Sequence, residues 1–182
     1  DVSTRFYRQG EGVAELERTA NELCAQIESK RERAALRVDT PRWGSISMKS
    51  VYDAKTDPDW IEMTNRIEAM DASPMRDFLL KRQQLKLSMG KIELELPRQF
   101  AGIGNCILIT MPCDTCSTLG LDFKRAFSQY NVFVIGYANT YCNYLVPQED
   151  YGKYFETYNS RTPRGVADAF VARIIQAVGA AL

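Results

Sequence analysis

The sequence predicts an α/β fold: a mixed sheet with a βαβ unit and flanking helices. Two short apolar runs, residues 106–111 and residues 132–135, have the length and β-branched content of strands. Between them, residues 117–128 are dense in helix formers and place Leu119, Leu121, Phe123, Ala126 and Phe127 among polar neighbours. Strand, crossover helix and strand within so few residues make a right-handed parallel unit the expected geometry.

The other elements follow from periodicity and end signals. From Glu11 onward Val13, Leu16, Ala20, Leu23, Cys24 and Ile27 recur at steps of three and four, the stripe of an amphipathic helix. Residues 43–52 alternate Ile46 and Met48 against Ser45, Ser47 and Lys49, as in a half-exposed strand. Asp57-Pro58 and Ser73-Pro74 each set a capping side chain before a proline suited to the first helical turn, so helices are predicted over 58–70 and 74–85. Ile92, Leu94 and Leu96 alternate with Lys91, Glu93 and Glu95, a strand with one wet face. The runs at 106–111 and 132–135 are predicted as strands buried on both faces. Thr162-Pro163 opens a final helix with Val166, Phe170, Ile174, Ala177 and Ala181 on one side. With no repeat, low-complexity tract or Gly/Ser linker, one continuous unit is expected.

Composition narrows the function. The chain has 182 residues, 45% hydrophobic and 25% charged, with 23 basic against 23 acidic side chains. That balance excludes disorder and, lacking a basic block, offers no footprint for nucleic acid. No apolar run reaches the ~18 residues of a transmembrane segment. There is no histidine, so the commonest metal ligand and neutral-pH base must come from elsewhere if the chain does hydrolytic or metal chemistry. The chain starts at Asp1 rather than Met, from which we expect a processed or truncated terminus. The five cysteines sit mostly in apolar settings and are expected to be reduced or buried. Cys113 and Cys116 form a C-x-x-C with no second pair at zinc spacing, and packing of a tight turn outweighs a redox or zinc role.

Parallel α/β sheets bind ligands where the carboxyl ends of their strands meet. The loops there, residues 111–116 and 136–144, should lie side by side, and they offer Asp114, Asn139, Asn143, Tyr137, Tyr141, Tyr144 and three thiols. Taken singly, Asp114 suits a helix N-cap and Tyr141 and Tyr144 suit rim aromatics.

In combination these loops resemble a family. Met111-Pro112-Cys113-Asp114 looks like the M-P-G-E segment of the neutral, non-lysosomal ceramidases, and Asn139-Thr140-Tyr141-Cys142-Asn143-Tyr144 looks like their N-x-Y-x-x-Y segment. Gln148-Glu149-Asp150-Tyr151 resembles their E-E-Y, and Asp1-Val2-Ser3 is similar to the G-D-V-S-P segment that carries the family's active-site serine. The resemblance implies that residues 1–182 are the C-terminal portion of a ceramidase-like hydrolase domain, completed by an N-terminal segment absent from this chain. It implies a zinc-dependent hydrolase of an amide (N-acyl) bond in a small-molecule or lipid-like substrate. Two histidines would come from a companion N-terminal chain or segment, with Asp114 and Tyr144 as metal ligands. Ser3 would be the catalytic serine; we read Asn139 and Tyr141 as donors that either orient the metal ligands or stabilise the oxyanion of the reacting carbonyl.

The sequence departs from the pattern at four places. Asp114 stands where the family has Glu, Cys113 where it has Gly, and Thr4 where it has Pro; Phe155-Glu156 replaces a Y-E, with Tyr154 one position early. A non-catalytic binding or scaffold subunit with a degenerate site is therefore the second reading. A secreted or surface location follows if the chain behaves as ceramidases do, and a cytoplasmic one if its cysteines are reduced.

Overall fold

The computed structural model describes residues 9–29, 37 and 39–182. The chain divides into two compact units, residues 1–36 and 37–182. In the first, α1 (Gly12–Ser29) forms where the three-four stripe predicts it, with Arg18 bridging Glu15 and Glu22 along its side. None of its residues is buried, and Val13, Leu16, Leu23 and Ile27 lie open.

The second unit carries the α/β fold. A four-stranded sheet has the order β1 (Arg42–Asp53), β2 (Lys91–Ile103), β3 (Cys106–Thr110), β5 (Asn131–Ile135). β1, β2 and β3 run antiparallel in succession, whereas β3 and β5 are parallel, in register from Cys106 opposite Asn131 to Thr110 opposite Ile135. The crossover between them is α4 (Ser117–Ala126), so the predicted βαβ unit is present. Gly44 faces Phe100 across the β1–β2 ladder, and a Cβ there would come within 2.5 Å of the ring, so the position has room only for glycine.

Between the long strands lie α2 (Pro58–Glu68) and α3 (Pro74–Met89). Asp57 accepts the amides of Asp59 and Trp60, and Ser73 accepts that of Arg76, with Pro58 and Pro74 in the first turn as predicted. α3 runs past its predicted end to Met89, where Gly90 at φ 65° turns the chain into β2. The last helix, α6 (Val166–Ala181), begins later than Thr162-Pro163 suggests: the chain first turns through left-handed Gly165, and Thr162 is buried in a hydroxyl cluster with Ser160.

The main core lies between one sheet face and helices α4 and α6. Leu96, Ile107, Ile109, Leu119, Phe123, Phe170, Ile174 and Val178 are all essentially inaccessible. Each such side chain contributes about 1.5–3 kcal/mol on leaving water. Two smaller clusters tie α2 in: Tyr52, Ala54, Trp60 and Ile92 on one side, and Met63, Val146 and Tyr151 on the other.

Burial corrects one expectation. β3 alternates buried and half-buried residues, and β5 exposes Phe133 and Ile135. The inner face of the sheet is covered by helices. On the outer face Trp43, Ala101, Leu108 and Phe133 are cross-strand neighbours in one row, with Trp43 81% and Phe133 52% exposed.

One buried charge stands out in the core. Arg98 is 1% exposed, stacks over the Phe170 ring at 3.5 Å and donates Nη2 to the Leu96 carbonyl, while its Nε and Nη1 have no acceptor. Burial, then the repulsion of Arg173, lowers its pKa to about 10.

Candidate functional site

Past the ends of β3 and β5 the two loops meet in a second, two-stranded ladder. β4 (Asp114–Thr115) pairs in parallel with β6 (Tyr144–Leu145), and Asp114 is the direct partner of Tyr144. The Asp114 amide donates to the Asn143 carbonyl at 3.0 Å, and the Cys142 amide to the Pro112 carbonyl at 2.8 Å. The two residues that the motif resemblance pairs as metal ligands are therefore held side by side by backbone. Asp114 is not a helix cap, because the cap of α4 is Cys116.

The loop reaches this geometry through unusual backbone. Tyr137, Asn139 and Asn143 all have left-handed φ, at 58°, 70° and 66°. Asparagine tolerates this region; a tyrosine rarely enters it. Tyr137 is held there by stacking on Tyr141, with centroids 5.4 Å apart and planes at 8°. Its amide donates to the Cys113 carbonyl, and Asn143 sends its side-chain amide to the Asn159 carbonyl at 2.9 Å. Such strain, imposed by the surrounding contacts, gathers at functional loops.

Around Asp114 the chemistry is carboxylate and phenol. Asp114 is 4% exposed. The Tyr141 hydroxyl donates to its Oδ2 at 3.4 Å, a long bond. A hydrogen bond to Asp114 pushes the Tyr137 hydroxyl up to about 12. Burial, followed by the charge of Asp114, raises the pKa of Tyr141 and of Tyr144. Oδ1 of Asp114 is buried and has no hydrogen-bond partner. A carboxylate oxygen left bare in a protein interior is costly, and it can serve as a ligand to a cation or as an acceptor for a proton donor.

Beneath the ladder Cys113 and Cys142 are buried together. A hydrogen bond to Cys142, then burial, raises the Cys113 thiol, and the same contact lowers that of Cys142, which accepts it. Burial raises Cys116 to about 11, in keeping with a structural C-x-x-C.

Asn139 belongs to the same loop, but its side chain is exposed and has no hydrogen bond among the described residues. Ser3 lies outside the described residues. Among those described, no three His, Cys, Asp or Glu side chains converge on a common point. Tyr137 is a member of the site that the motifs do not single out; its signal is a phenol following a glycine at the strand end.

Comparison with known proteins finds partial structural likeness only. No family model matches it, and no curated protein does. Among solved structures, the neutral ceramidase from Pseudomonas aeruginosa matches with a TM-score of 0.40 and 23% identity, over 44% of this chain and 14% of that chain. A ceramidase complexed with C2 matches with a TM-score of 0.39 and 23% identity over the same shares. The match thus spans about a seventh of the length of those chains.

Proposed function

We propose that the Asp114 loop is part of the active site of a metal-dependent hydrolase of amide (N-acyl) bonds. The observation that carries the reading is the bare, buried Oδ1 of Asp114, set in backbone register with the Tyr144 phenol. The donor set fits a divalent cation: an anionic oxygen and a phenolic oxygen are acceptable zinc ligands beside imidazole. The remaining ligands, histidines, would come from a companion N-terminal segment, since this chain has none. A bound zinc would polarise the amide carbonyl and lower the pKa of water.

The chain's own residues have three tasks in this scheme. Asp114 presents Oδ1 while Tyr141 holds Oδ2, which fixes the carboxylate's orientation. The exposed Asn139 stands at the loop surface, where its amide would donate to the oxygen of the scissile carbonyl as it gains charge; the Tyr141 hydroxyl, with one proton, would do so only by turning away from Oδ2. Ser3 would orient the attacking group. In the balanced reaction water adds to the carbonyl carbon and the C–N bond breaks. The nitrogen leaves with a proton as amine, and the acyl group as carboxylate. Ceramide-like N-acyl compounds are the substrate class suggested by the motif resemblance.

Metal analysis of the chain with its companion segment tests the reading. We expect about one zinc per assembly, its loss in Asp114→Ala, and loss of amide hydrolysis on chelation with recovery on adding zinc. An assembly free of divalent metal, with activity untouched by Asp114→Ala, overturns it. Stoichiometric ligand binding without turnover would favour the scaffold reading instead.

A further inference from the structure

A second site lies away from Asp114. A cavity of about 340 Å³ opens where α3, the start of β2 and residues 158–161 come together, at the low end of the ~300–1,000 Å³ usual for small-molecule sites. Its apolar wall is Trp60, Leu85, Met89, Ile92 and Leu94. Leu85 and Met89 are 65% and 60% exposed, a large apolar surface for two residues of one helix.

The charges around it are almost all of one sign. Arg82, Lys86, Lys91 and Arg161 line the cavity against a single acid, Glu93, which is taken up by Lys91 at 3.2 Å. Arg82, Lys86 and Arg161 have no carboxylate within ion-pair distance among the described residues. Lys86 donates to the carbonyls of Tyr158 and Ser160 at 2.9 and 3.0 Å and sits 4.3 Å above the Trp60 ring. Burial, then the charges of Arg82 and Arg161, lowers its pKa to about 7. Independently, the indole Nε1 of Trp60 is buried without an acceptor.

Two arginines and a lysine with no carboxylate partner, set beside an apolar wall in one pocket, describe an amphiphile with an anionic head. We propose that this cavity binds a small carboxylate with an apolar tail, its head among Arg82, Lys86 and Arg161 and its tail along Trp60, Leu85, Met89 and Ile92. The site does not depend on the hydrolase reading. Asn143 nevertheless lines the cavity and accepts the Asp114 amide through its own carbonyl, so an occupant touches the strained loop from behind.

Fluorescence of Trp60 in a Trp43→Phe background tests this, because the chain has two tryptophans. Octanoate, octanamide and octylammonium share a tail and differ in the head. We expect a saturable response to octanoate, at least about tenfold weaker binding of octanamide, and none of octylammonium, since charge-assisted hydrogen bonds are the stronger class. Arg82→Gln/Arg161→Gln should weaken octanoate at least about tenfold; neither side chain is buried, and a thermal melt confirms that the variant is folded. Equal binding of octanoate and octanamide, a non-saturating response, or full affinity in a folded double variant overturns the proposal. Should that variant not fold, the octanoate–octanamide ratio on the parent chain decides alone. The readout is binding without turnover, so it separates this proposal from the fate of the Asp114 site.

Discussion

At the scale of single residues, the groups that matter are those whose burial and partners do not match. Arg98 is a buried guanidinium with two idle donors and only a carbonyl and a ring for company. A buried charge that is not fully paired costs more than a well-packed apolar side chain of like volume. Arg98→Met should therefore leave the fold intact and hold or raise its stability, by up to about 1–4 kcal/mol in denaturant titration. Lys86 makes a prediction with pH. Its folded pKa of about 7 lies below the ordinary ~10.4, so between those values the unfolded chain binds a proton that the folded chain does not. Stability should thus rise as pH climbs through that window, and the gain should vanish in Lys86→Met when the two melting profiles are subtracted. None of this is legible in the sequence. Lys86 is one lysine of many until α2, β2 and residues 158–161 fold around it.

At the scale of elements, legibility depended on length. Strands and helices with a sustained period, from Gly12–Ser29 to Val166–Ala181, are visible as patterns, and the prolines after Asp57 and Ser73 mark their starts within a residue. β4 and β6 have two residues each, too few to carry any period. Their existence rests on hydrogen bonds between loops that only the parallel βαβ unit brings together. The motif resemblance picked out Asp114 and Tyr144 without any sign that they are ladder partners. Asn143 is the hinge of that ladder, left-handed at φ 66° and bonded to Asn159. Asn143→Ala should cost about 2 kcal/mol or more, from the left-handed backbone and the lost hydrogen bond together. Asn143→Gly should cost less, and a folded Asn143→Ala with unchanged stability would refute the strain.

At the scale of the whole molecule, protection of groups from solvent follows the division between covered and open faces. Cys113 and Cys142 lie in the main core, while Cys24 on α1 is exposed. A thiol reagent should modify Cys24 at once in the native protein and reach Cys113 and Cys142 only on unfolding, which mass spectrometry of the labelled peptides resolves. Composition announced a core of this size, but not which sheet face it covers. The apolar runs at β3 and β5 look the same whether one face is buried or two, because periodicity disappears when the outer residues are also apolar.

That open outer row has a practical side. Trp43, Ala101, Leu108 and Phe133 give the sheet a flat greasy strip that ends at the edge strand β5, whose backbone can add a further strand. The second solubility virial coefficient of the isolated chain should accordingly be negative at near-zero net charge, with clustering that grows on adding salt. Phe133→Lys, which interrupts the strip while sparing the core, should turn that coefficient positive in static light scattering and leave the melting temperature within a degree or so of the parent. The colloidal behaviour of this protein is thus written on the back of its sheet.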